Sequence, residues 1–139
     1  MREPIYGNQY RMTVVCIDEY ENGVLSGRMY NPYFGTGITF RSTMDLLKKM
    51  NNMLEKMNFP QSFSVNRVFQ QVQEADTVVA SSLEPKTGAL ATFSIRVLFR
   101  QNASWQGSVG WCEANKEESF RSVLELLLLM DSALNTAEE

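Results

Sequence analysis

Apolar residues at helical spacing occur in two segments, and each segment follows short runs in which apolar and polar residues alternate. In the first, Met44, Leu46, Leu47, Met50, Met53, Leu54 and Met57 share a broad face, with Lys48, Lys49, Asn52 and Glu55 largely opposite. That spacing predicts an amphipathic helix. Ser42 is placed to cap it with Asp45 at the third helical position. Ser122 and Glu125 repeat the arrangement as an S-x-x-E capping box before a second helix. This second helix carries Leu124, Leu126, Leu127, Leu128, Leu129 and Met130 and is apolar nearly all round. Upstream of the first helix, alternation predicts strands at Thr13–Tyr20, Val24–Tyr30 and Thr36–Phe40, with Asn22-Gly23 as a tight hairpin turn. Upstream of the second, Phe93–Arg100 and Trp105–Cys112 alternate around a turn at Gln101–Ser104, and the polar segment Glu113–Ser119 holds the position of a third strand.

The two patterns are copies of one another. Residues 13–55 laid on 93–135, an offset of 80 without a gap, agree at nine of 43 positions: Asn22/Asn102, Gly27/Gly107, Phe40/Phe120, Arg41/Arg121, Ser42/Ser122, Leu46/Leu126, Leu47/Leu127, Met50/Met130 and Leu54/Leu134. Composition alone would give about three matches. The expected architecture is therefore α+β: two β-β-(β)-α repeats related by a pseudo-two-fold, forming an antiparallel sheet with two helices on one face. Within a single domain, residues 1–12 read as an extension, 13–59 as the first repeat, 60–91 as a connector, 92–135 as the second repeat and 136–139 as a tail. Residues 62–69 alternate like a strand, and 70–91 have the composition of a long mobile loop.

Differences between the copies bear on assembly. Lys48-Lys49 in the first helix corresponds to Leu128-Leu129 in the second. A helix with apolar residues around most of its circumference is either covered centrally or meets another protein. Leu128 and Leu129 are accordingly a candidate homodimer interface, with an unidentified protein or small molecule as further partner.

Composition narrows the chemistry. The 139 residues contain no histidine, which removes the commonest general base and the commonest metal ligand together. There is no G-x-S-x-G elbow and no glycine-rich phosphate loop, so no catalytic residue, metal or cofactor is expected. The carboxylates Asp18, Glu19, Glu21, Glu117 and Glu118 read as solvated turn residues, and Cys16 and Cys112 as reduced thiols. No apolar run is long enough for a signal peptide or a membrane span, which gives a cytoplasmic expectation. Arg96 and Arg100, four residues apart and so in phase in the alternation, read as sharing one solvent-facing side of a strand with Arg28, Gln106 and Arg67. Such a face could hold single-stranded nucleic acid, but a net charge of −3 opposes that alternative. Arg41 and Arg121, each just before a helix cap, either form a paired anion site or simply fix two strand-to-helix corners, and the second reading is preferred.

The run FRQNASWQGSVGWCEANKEESFRSVLELLLLMDSAL (99–134) resembles a group of small, uncharacterised bacterial proteins that carry RQN-x-x-WQG followed by SFRS-x-LEL. YENGVLSGRMYNPY and MNFPQSF are weaker echoes of the same group. The resemblance implies a bacterial origin and a small stand-alone domain, and it brings no activity, cofactor or ligand with it.

Overall fold

The structure is a computed structural model that describes residues 8–34, 36–57, 87–101 and 104–137. In chain order it contains β1 (Met12–Glu21), β2 (Val24–Tyr30), β3 (Ile38–Phe40), α1 (Thr43–Met57), β4 (Ala91–Gln101), β5 (Ser104–Trp111), β6 (Lys116–Phe120) and α2 (Val123–Ala137), with short 3-10 turns at Asn8–Arg11 and Cys112–Ala114. All six strands belong to one antiparallel sheet in the order β3-β2-β1-β4-β5-β6. The fold is α+β, and its two helices pack on the same side of the sheet.

Local chemistry explains several reversals of the chain. Asn22 (φ 53°) and Gly23 (φ 79°) both take positive φ, the twist-matched geometry of a two-residue hairpin between β1 and β2. Asn115 (φ 52°) is the left-handed residue that turns the chain from the second 3-10 turn into β6. At the start of α1, Ser42 Oγ accepts the Asp45 N–H at 3.0 Å while the Asp45 carboxylate accepts the Arg41 N–H at 3.0 Å. At α2, Ser122 Oγ accepts the Glu125 N–H at 3.1 Å and Glu125 accepts the Arg121 N–H at 3.3 Å. In each case the serine satisfies one otherwise orphaned helix donor, and the carboxylate ties down the residue that precedes the cap.

β1 and β4 each carry a register shift, between Ile17 and Glu19 and between Val97 and Phe99. Opposite the residue that opens each irregularity lies a glycine, Gly27 or Gly107. A β-carbon there would run into the carbonyl oxygen of Cys16 or Arg96, so the close approach of the strands demands glycine.

A single hydrophobic core lies between sheet and helices. Val15, Ile17, Met29, Phe40, Phe93, Ile95, Val109 and Phe120 supply its floor; Leu46, Met50, Met53 and Leu54 of α1 and Leu126, Met130, Ala133 and Leu134 of α2 supply its roof. Of the apolar face foreseen for α1, Leu46, Met50, Met53, Leu54 and Met57 are buried and Leu47 is partly so, whereas Met44, on the first turn, is 65% exposed.

Several boundaries differ from expectation. β1 starts at Met12, directly after a 3-10 turn, because Asn31 reaches across from the end of β2: its side-chain amide donates to Tyr10 O at 3.0 Å and Met12 O at 3.1 Å. β3 is only Ile38–Phe40, whereas the polar segment before α2 does form a strand, Lys116–Phe120. Residues 62–69 and most of the expected mobile loop fall outside the described residues. Thr87–Leu90, the end of that loop, is held in place, with Leu90 N–H on Ile17 O at 2.9 Å and Ala89 N–H on Asp18 Oδ1 at 3.0 Å. Lys49 is not on a solvated face: only 4% exposed, it buries its stem and donates from Nζ to Thr39 O and to Asp45 Oδ2, both at 2.9 Å.

Candidate functional site

Two surfaces stand out, one on the helix layer and one on the open face of the sheet. On α2, Leu126, Met130, Ala133 and Leu134 are buried, and the side opposite them carries Leu124 and Leu128, 66% and 59% exposed. One turn before this pair lies Arg121, and nearly one turn after it Asp131. Leu124, Leu128 and Asp131 follow helical spacing along one side of α2, and Arg121 precedes that helix on the turn before the Ser122 cap. Arg121 also pairs with Glu125 at 3.2 Å. Tyr20 donates its hydroxyl hydrogen to Asp131. Leu129 has a different place from Leu128: it is packed against the core. The expected pair Leu128/Leu129 is therefore split, and Leu124 joins Leu128 on the outer side. The signal for this was present in the sequence as an i, i+4 leucine pair out of phase with the buried residues.

On the open sheet face, cross-strand partners fall into rows, because residues directly opposite one another in an antiparallel pair point to the same side. One row runs Met12, Arg96, Ser108, Ser119; the next runs Val14, Ser94, Gly110, Glu117; a third contains Arg28, Cys16 and Thr92. In the third row the Arg28 guanidinium is held by both Asp18 oxygens, at 3.0 and 3.1 Å, and by Tyr30 Oη at 3.1 Å. The Asp18 hydrogen bond raises the Arg28 pKa above its ordinary value. Asp18 is thus an ion-pair partner rather than a solvated turn carboxylate. Cys16 beside it is fully buried, and burial pushes its thiol up to about 11 against the opposing field of Arg28. Cys112 is exposed.

The first two rows border an open cleft of about 380 Å³, lined by Arg96, Ser94, Ser108, Gly110 and Glu117 with Met12 at one side and Lys116, Trp111, Cys112 and Asn115 at the other. A second cleft, of about 320 Å³, lies under α2 on the other side of the sheet, between Phe93, Val109, Trp111, Leu129 and Ala133, with Lys116, Glu118 and Ser132 at its mouth.

Arg96 and Arg100 are not brought together. The irregularity between Val97 and Phe99 reverses the alternation, so Arg100 pairs with Trp105 on the core side and is 3% exposed. Its Nη1 donates to Glu55 of α1 at 2.7 Å. Displaced outward instead is Phe99, 63% exposed. Strict period-two counting cannot foresee such a reversal. Trp105 and Val109 lie in the core, as the alternation around them required. Arg41 and Arg121 follow β3 and β6, the two outer edges of the sheet, about five strand spacings of ~4.8 Å apart. They form no joint site.

Among the described residues no group of three His, Cys, Asp or Glu side chains could hold a metal ion, and no described helix is long and apolar enough to cross a membrane. Comparisons with protein-family models, with curated proteins and with solved structures found no match to this chain.

Proposed function

We propose that the protein is a non-enzymatic binding module that works as a homodimer, joined through the outer stripe of α2. The observation that carries this reading is the exposure of Leu124 and Leu128 side by side on a helix whose opposite side is fully engaged. Two copies of α2 crossing antiparallel about a two-fold axis would set Leu124 against the partner's Leu128. The same register sets Arg121 against the partner's Asp131, so the stripe is complementary to itself in charge as well as shape, as an isologous interface requires. Burying the two leucines contributes about 2–4 kcal/mol per copy. Association costs at least about 4 kcal/mol, so the leucines of both copies together support a weak dimer, with a dissociation constant on the order of millimolar.

Sheet edges offer a poorer route to assembly. β3 has three residues, and β6 presents Lys116, Glu117, Glu118 and Ser119, all exposed. Short and charged edges resist strand addition. The duplication supports a further element of the reading, a pseudo-two-fold axis between β1 and β4: the strand order is the same read from either end, and the cap and glycine contacts recur at an offset of 80 residues. Absence of histidine and the engagement of Asp18, Asp45 and Glu55 in ion pairs support binding rather than catalysis. A nucleic-acid reading drew on Arg96 and Arg100 as one face, and that grouping is not present.

The test is mass in solution. Leu124→Lys with Leu128→Lys should give a folded monomer by light scattering, while the mass of the parent chain rises towards twice that at millimolar concentration. A parent chain that stays monomeric at about 5 mM, above the dissociation constant expected here, ends the dimer reading.

A further inference from the structure

Arg96 is half-buried on the open sheet face, yet it makes no hydrogen bond or ion pair with any described residue. A guanidinium always carries its charge, so partial removal from water without a counter-charge is unfavourable and calls for a partner. The same face shows how such a group is satisfied. Arg28 has a carboxylate on two of its nitrogens and a tyrosine hydroxyl on the third. Around Arg96 the hydroxyls are present, Ser108 directly across on β5 and Ser94 one row along, and the carboxylate is missing. Gly110 keeps the floor between Ser94 and Glu117 clear: a β-carbon there would stand 2.8 Å from Ser94 Oγ. At the far side of that gap Glu117 of β6 carries the opposite charge, also without a partner among the described residues.

We propose that this cleft binds a small zwitterion of the amino-acid type, its carboxylate on the Arg96 guanidinium and its ammonium group towards Glu117. A planar guanidinium matches a carboxylate in a bidentate pair. Lys116, which also borders the cleft beside Glu117, adds a second cation there, so inorganic phosphate is the control that separates the two charge patterns. Arg96 and Glu117 lie two strands apart, ~10 Å between their backbones, and both side chains extend into the intervening space. The cleft volume of about 380 Å³ suits a molecule of a few to a dozen heavy atoms. This deepens the binding-module reading but does not depend on dimerisation, because the cleft and the α2 stripe are on opposite sides of the sheet.

Nuclear magnetic resonance titration of the full chain tests it, following the Arg96 Nε–H and the amides of Ser94, Ser108 and Gly110. The probes are glycine, γ-aminobutyrate and ε-aminocaproate, with charges progressively further apart, and acetate and inorganic phosphate as single-sign controls. At least one zwitterion should saturate with a dissociation constant near or below about 1 mM, at least about tenfold tighter than acetate. Arg96→Gln should weaken both at least about tenfold, and Glu117→Gln should bring the zwitterion down to the acetate level. The Leu124→Lys/Leu128→Lys variant should bind as the parent does, which separates failure of this site from failure of the dimer. Any of three results overturns the proposal: no probe saturates below about 10 mM, Arg96→Gln binds unchanged, or acetate or phosphate binds as tightly as every zwitterion.

Discussion

Helices α1 and α2 pack on the same side of the sheet, start with similar serine caps and bury Leu46, Met50, Met53 and Leu54 in one and Leu126, Met130, Ala133 and Leu134 in the other, yet they treat their remaining positions in opposite ways. Position 49 and position 129 both pack inward. In α1 the residue is a lysine whose charge is neutralised by Asp45 and Thr39 O; in α2 it is a leucine against the core. Positions 48 and 128 both lie further out, one a lysine and the other a leucine left 59% exposed. The difference teaches that leucine enrichment in α2 has two separate causes. Leu129 replaces a buried ion pair with apolar contact, which is a matter of stability. Leu128 leaves an apolar side chain exposed where α1 has Lys48, beside Leu124, whose counterpart Met44 is also exposed; under the dimer proposal that surface is what meets the partner.

Exchanging the outer stripes gives the largest expected effect. Lysines at 124 and 128 should shift the mass to monomer and weaken self-association at least about a hundredfold, while thermal unfolding moves by only a few degrees. Leu129→Lys should do the reverse, lowering stability by about 2–4 kcal/mol with association changed far less. If both substitutions acted alike, the division of the leucines into core and surface would be wrong.

Next in size is the contrast between the two cap carboxylates. Asp45→Ala removes a cap and strands the buried Lys49 ammonium, and about 3–4 kcal/mol of stability should go with it in urea unfolding. Glu125→Ala removes a similar cap but only an exposed pairing with Arg121, so about 1 kcal/mol is expected. Equal losses would show that Lys49 finds another partner once Asp45 is gone.

How much of this was legible beforehand follows from what each feature depends on. Helix spans, caps, the Asn22-Gly23 turn and the inward face of each helix depend on residues within one or two turns, and the spacing of Ser42, Asp45, Met50 and Leu54 displays them directly. Arg100 was misplaced because its side depends on a single extra residue between Val97 and Phe99, which alternation alone does not reveal. Lys49 was misplaced because a lysine stem can be buried when its head has acceptors, and those acceptors, Thr39 O and Asp45, come together only in the tertiary structure. The cleft at Arg96 draws on β1, β4, β5 and β6 at once. Its residues are separated by up to about a hundred positions in the chain, so only the sheet order assembles it.

A smaller effect separates the two thiols. Cys112 should react with iodoacetamide in the native protein, while Cys16 should be protected until unfolding, about a hundredfold or more slower. The buried thiol also has a pH signature. Its pKa is raised from 9.0 to about 11 in the folded chain, so the stability due to its neutral form is whole below pH 9 and is lost as pH rises towards 11. Cys16→Ala should flatten unfolding free energy over that window relative to the parent, whereas Cys112→Ala should leave the slope unchanged.

The smallest effect probes the charges that flank the leucine pair. If α2 crosses its partner in the antiparallel register, Arg121→Gln and Asp131→Asn remove the two ends of the same intermolecular contact. Asparagine at 131 still accepts the Tyr20 hydroxyl, so the fold is spared. Each single change should weaken the dimer by less than about threefold, and the double change should be no worse than either alone, with the whole effect fading as salt is raised. Independent, additive losses would mean that the residues meet different neighbours, and the helices would then cross in some other register with Leu124 and Leu128 still at the contact. The leucines and the flanking charges thus answer different questions: the first whether α2 joins two copies, the second how those copies are oriented.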